Sequence, residues 1–293
     1  MAEENGPDTS GHEEELVEAL ATEARALGED DRWEEAFSML IEGVEDHPES
    51  ALVLCWAGIA AQRLGNDSEA YDFFRRALAA EPTDPFILAA AGGGVATFDD
   101  PEAESALRLA ALTAPDFAFA RAAYGAYLSR EGMISEALGE LEAARTLAPE
   151  DADVHADLAM TYLLAGRPDD GIPSLEEALS LRSEDGWLRG VYGLALVEAR
   201  RPEEAAEQLH QAAGERPEDV EIQLLAALAA SGEGWEDEAW NALARAEAAA
   251  DASDSALIRE VEEAIEAGRE VASHVLRDEF GPSLLRQRLL QRA

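Results

Sequence analysis

The sequence predicts an all-α fold, a solenoid of stacked helical hairpins. Three observations predict it. A sixteen-residue phrase returns along the chain, as "EAYDFFRRALAAEPTD" from Glu69, "EALGELEAARTLAPED" from Glu136 and "EAAEQLHQAAGERPED" from Glu204. The proline near the end of the phrase, or the residue in its place, falls at Pro48, Pro82, Pro115, Pro149, Ser183, Pro217 and Asp251, a spacing of 34 residues with one step of 33. The apolar content is 47% with only 6% aromatic, and Ala and Leu supply most of it, which favours close-packed helices over sheets.

Each period holds two helical patterns. The second helix opens on a small residue: Ala36, Ala70, Ala103, Ala137, Gly171, Ala205 and Ala239. Four places on stands a larger apolar residue: Leu40, Phe74, Leu107, Leu141, Leu175, Leu209 and Leu243. Three further on comes another small one: Gly43, Ala77, Ala110, Ala144, Ala178, Ala212 and Ala246. Steps of four and three place all three on one helix face. The first helix has its own small position at Ala24, Gly58, Gly92, Gly125, Ala159, Gly193 and Ala227. A glycine inside a helix costs about 0.5–1 kcal/mol against alanine, so a close helix crossing is the expected reason for it.

This pattern resembles the tetratricopeptide repeat family, with W-x2-L-G-x2-Y…A-x3-F…P over 34 residues. The fourth unit reads Tyr124, Gly125, Leu128, Ala137, Leu141, Pro149, and the sixth Tyr192, Gly193, Leu196, Ala205, Leu209, Pro217. The leading Trp of the family pattern is absent throughout. The resemblance implies about seven helix-turn-helix units in a right-handed superhelix, with the first helix of each pair lining a concave groove.

The expected organisation is a disordered acidic tail over 1–12, then seven units within 13–253, at about 17–50, 51–84, 85–117, 118–151, 152–185, 186–219 and 220–253. The third unit is one residue short around "TFDDPE", so its inner turn should be tighter. In the fifth, Pro173 belongs in a first helical turn, which puts that helix start near Asp169 or Asp170. A capping helix is expected over 254–280, ended by Gly281-Pro282, followed by a basic, leucine-rich tail over 281–293. That tail holds Arg286, Arg288 and Arg292 without an acid, so two readings stand: it docks on an acidic, apolar surface, on its own chain or on a second copy, or it is a short frayed terminus.

Net charge is −41, and every basic residue counted is Arg. So acidic a surface repels phosphate backbones and anionic headgroups, so nucleic acid and membrane are not expected partners. Without Lys there is no P-loop lysine, kinase lysine or pyridoxal Schiff base. Cys55 is alone and the N-terminal stretch has no apolar core, which fits a cytoplasmic protein with no signal peptide. No stretch reaches the roughly 20 apolar residues of a membrane span. The five His, at positions 12, 47, 155, 210 and 274, lack metal-ligand spacing. "AGGGVATF" lacks the phosphate-loop pattern, and no nucleophile has a base beside it. No catalytic, metal or cofactor residue is expected, and the chain is read as non-enzymatic.

Projected on the helix period, the groove residues are Leu52, Cys55, Ile59 and Arg63 in the second unit, Phe86 in the third, and Phe119 with Arg130 in the fourth. Met160 and Leu163 follow in the fifth unit, Trp187, Leu194 and Val197 in the sixth, and Leu224 and Leu228 in the seventh. An apolar strip on a charged protein points to an interaction site. The expected function is a protein-binding scaffold that takes a partner peptide or helix, with the acidic surroundings favouring a basic one. Self-association, through the C-terminal tail or groove, and a role as a regulatory subunit are the alternatives. A family subset holds peptide carboxylates with Lys and Asn, but this chain has no Lys and its Asn are Asn5, Asn66 and Asn241, so that mode is not expected.

Overall fold

The computed structural model describes residues 9–292. Among them there are helices and turns and no β-strand. Seven hairpins follow one another. They are α1 (Thr9–Glu29) with α2 (Trp33–Asp46), α3 (Ala51–Arg63) with α4 (Asp67–Ala79), α5 (Pro85–Ala96) with α6 (Glu102–Thr113), and α7 (Ala118–Arg130) with α8 (Ile134–Leu147). Then come α9 (Ala152–Leu164) with α10 (Pro168–Leu181), α11 (Gly186–Glu198) with α12 (Pro202–Glu215), and α13 (Val220–Glu233) with α14 (Glu236–Ala249). Of the expected N-terminal tail, residues 9–12 lie in α1, and 1–8 are outside the described residues.

The end of the recurring phrase is a helix cap. Asp84, Asp151, Asp185 and Asp219 precede α5, α9, α11 and α13, and each side chain accepts from a backbone N–H of the first turn, such as Phe86 N at 2.7 Å and Leu188 N at 2.9 Å. Ser50 does the same for α3. These groups satisfy N–H donors that a helix start leaves open. Inside each hairpin one residue takes positive φ, at Asp31, Gly65, Asp99, Gly132, Gly166, Arg200 and Gly234, and so turns the chain between helices.

The small and large positions interlock. A Cβ built on Gly58 would lie 2.6 Å from the Phe74 ring, one on Gly92 3.0 Å from Leu107 Cγ, and one on Gly193 2.6 Å from Leu209 Cγ. The first helix therefore gives up its side chain where the large residue of its partner seats. Helix α10 begins at Pro168 rather than at Asp169 or Asp170, so Pro173 lies inside it. Proline at the first helical position needs no N–H and starts the helix early.

The chain divides into two compact units, with the boundary in sequence between Tyr127 and Leu128, within α7. In the first, Leu40, Leu54, Phe74, Val95 and Leu107 centre the core, and α3 packs on both α1 and α5. In the second, Leu175, Leu188, Leu194, Leu209, Ile222 and Leu243 share one core.

The C-terminal region departs from expectation. The capping helix is not one element: α15 (Ser255–Ala267) stops at Gly268, whose φ of 103° breaks it, and α16 (Arg269–His274) restarts the chain. A π-helical turn over Val275–Phe280 leads into α17 (Gly281–Arg292), so Gly281-Pro282 opens a helix rather than ending structure. Pro282 is tolerated there because a first turn does not use its N–H.

Candidate functional site

In the first unit, successive first helices bring aromatic rings into a row. The Trp56 and Phe86 centroids are 5.5 Å apart, Phe86 and Phe119 5.8 Å, and Phe119 and Phe117 5.9 Å. The Asp84 cap fixes the first turn of α5 and so positions Phe86. Phe119, in the first turn of α7, is 43% exposed, while Trp56, Phe86 and Phe117 are half-buried. Leu52 and Ile59 are also half-buried, and share the Trp56 stripe at steps of four and three. Arg63 is exposed and stacks its guanidinium 5.6 Å from the centre of the Trp33 ring.

Cys55 is a correction. It is fully buried, burial pushes its thiol up and Asp84 adds to the shift, so it can neither meet a partner nor react as a thiolate. The surface residue is its neighbour Trp56, because one residue turns the helix by about 100°. The signal for it was in the sequence: 52, 56 and 59 form a helical stripe as good as 52, 55 and 59. Phe117 was missed because it precedes the helix on which the periodic projection rests.

In the second unit the expected strip is covered. Met160, Leu163 and Val197 are buried, Leu194, Leu224 and Leu228 have no exposed surface, and Trp187 is half-buried against the same core. Val275, Leu276, Phe280, Leu284 and Leu285 belong to that core too. The chain's own C-terminal segment therefore closes the face that the sequence had left open. Arg130 ends α7 and is half-buried.

Among the described residues no group of three or more His, Cys, Asp or Glu is placed to hold a metal ion. No described helix is long and apolar enough to cross a membrane. A polar cluster around Asp100 in the first unit is structural. Asp100 is 8% exposed and accepts from Tyr71 Oη at 2.8 Å and Glu102 N at 2.9 Å, with Arg75 at 3.4 Å. The Glu102 backbone N–H, then Tyr71 and Arg75, hold its carboxyl below the usual range. These bonds pin the short turn of the third hairpin.

Capped, glycine-notched hairpins carrying an apolar row on their first helices define a helical-repeat interaction scaffold. Tetratricopeptide repeat family models match residues 162–229 and 21–85. The chain is a tetratricopeptide-repeat protein. Among solved structures it is similar to a chain of the APC/C hetero-tetramer Cut9-Hcn1, at 18% identity and a TM-score of 0.67, over 83% of this chain and 48% of that one, about half its length. It is similar to PilF of Pseudomonas aeruginosa, at 21% identity and a TM-score of 0.60, over 74% and 98% of the two chains. It is also similar to PilW, a type IV pilus biogenesis factor, at 20% identity and a TM-score of 0.55, over 67% and 93%. These likenesses establish the fold alone. No curated protein matches the chain in sequence.

Proposed function

We propose that the first unit binds a partner peptide or helix along the aromatic row of Trp56, Phe86 and Phe119, and that the chain acts as a scaffold without chemistry of its own. The observation that carries this is the row itself. Three rings from three successive first helices lie within 6 Å steps, and the last is 43% exposed. Rigid aromatic anchors supply contact area at low entropic cost and dominate many interfaces. Asp84 and Asp116 stand exposed in the turns that lead to Phe86 and Phe119, and the net charge of −41 favours a basic partner.

The test is a displayed peptide library selected on the intact chain, with affinities of the retained peptides measured by fluorescence anisotropy of labelled peptides. Replacing Phe86 and Phe119 together by Ser should weaken the selected peptides by at least tenfold while the helical signal stays. Equal affinity for the altered chain would remove the row as the site.

A further inference from the structure

The last helix carries the inference, and it does not depend on the reading of the first unit. Helix α17 turns back along the chain and packs on α11 and α9. A Cβ built on Gly281 would lie 3.5 Å from Val197 Cγ1, near the end of α11. Seven residues on, Arg288 reaches the start of α13, with Nη2 3.3 Å from Asp219 Oδ1, 3.4 Å from Asp219 Oδ2 and 3.3 Å from Glu221 Oε2. Between these ends Leu284 and Leu285 are 8% and 2% exposed and join the core that holds Met160, Leu163, Leu194 and Val197. A leucine pair, with an arginine three residues after the second, thus fills an apolar face that has an acidic end.

Two features make this contact exchangeable. Arg288 is 3% exposed, yet the acceptors of its Nη2 are all at 3.3 Å or more and its Nε has no partner. Charge-assisted bonds are usually about 2.7–2.9 Å, and a desolvated ion pair with longer bonds and an open donor adds little net stability. Beside the turn that leads into α17, a pocket of about 330 Å³ lined by Val197, Leu228, Leu276 and Arg277 is open to solvent, and no residue of α17 fills it. The chain reaches α17 through the π-helical turn of Val275–Phe280, a form that is rare and often marks a functional position.

We infer that this face of the second unit is a receptor for a basic helix of a partner protein with the pattern Leu-Leu-x-x-Arg, and that α17 is its resident, displaceable occupant. The own helix displays the chemistry that the face accepts. The acidic chain draws a basic helix toward it, and the resident lowers the affinity of any competitor by the fraction of time that the face is closed.

The test uses the full chain and a labelled peptide of residues 281–293, GPSLLRQRLLQRA. Arg288→Glu sets three acids together and should open the face, so the altered chain should bind the peptide at least tenfold more tightly than the unaltered one. A peptide with both Leu284 and Leu285 replaced by Ser keeps the charge and should not bind, which separates recognition from general attraction between opposite charges. Adding Glu221→Arg to Arg288→Glu should reseat the resident helix and return the affinity to the low value. If Arg288→Glu binds the peptide no better than the unaltered chain, or binds the serine peptide equally well, the inference is overturned. Loss of the helical signal in Arg288→Glu would make α17 a fixed part of the core and overturn it too. A mass that doubles with concentration in that variant would assign the face to a second copy's tail and overturn a separate partner.

Discussion

Arg200 holds a backbone conformation that four of the seven hairpin turns give to glycine, with a φ of 61°. A side chain in the left-handed region costs about 1–2 kcal/mol. The compensation is small, because its ion pair with Asp278 spans 4.0 Å at a 66% exposed side chain. Arg200→Gly should therefore stabilise the second unit by about 1 kcal/mol, read as a higher melting temperature. Gly166, with a φ of 68° and open space around its Cα, is the control: Gly166→Ala should lower it by a similar amount. Asp100 works in the other direction. Its folded carboxyl lies below the usual range, so its contribution is complete above the unfolded value of about 3.9 and fades as the pH falls through the folded value. Asp100→Ala also leaves Tyr71 Oη and Glu102 N without their acceptor, at about 1–3 kcal/mol. The gap in melting temperature between this variant and the unaltered chain should be widest near neutral pH and should narrow below about pH 4.

The second, third and sixth hairpins are each held by a glycine notch and a large knob. At Gly193 the notch is tight, with Leu209 Cγ 2.6 Å from where a Cβ would stand. Gly193→Leu should cost about 1–3 kcal/mol or more by forcing α11 and α12 apart, measured by denaturant unfolding. This level of organisation was legible in the sequence, because the order of small and large residues repeats with the period and a helix converts spacing into direction. The all-helical repeat fold followed from it. The interaction face was less legible. Periodicity states which side of a helix is apolar but does not tell a core stripe from a surface stripe one residue away, and that is the difference between Cys55 and Trp56. The charge and leucines of the C-terminal tail pointed to docking on an acidic, apolar surface but not to the place: Arg288 meets Asp219 across 69 residues, and no local pattern records such a contact. The break at Gly268 was missed because apolar residues continue at helical spacing on both sides of it.

Over the whole chain, 63 acidic residues face 22 basic ones. Self-repulsion of that size should weaken the fold at low ionic strength, and the melting temperature should rise from low to moderate salt as screening sets in. A repeat array normally behaves as a one-dimensional chain, in which each member feels only its neighbours and can open by itself from an end. Helix α17 changes that rule in the second unit. By running from the end of the array back to α11 and α9, it joins the last three hairpins into a closed circuit. While α17 is seated, the members of this circuit have no free end from which to fray. Native-state hydrogen exchange should then show α17 opening first, at low free energy, and α9 to α14 exchanging only after it, while Arg288→Glu removes that first step. Refolding should show the same closure as a slower step, since the local hairpins form before a contact so distant in sequence can be made.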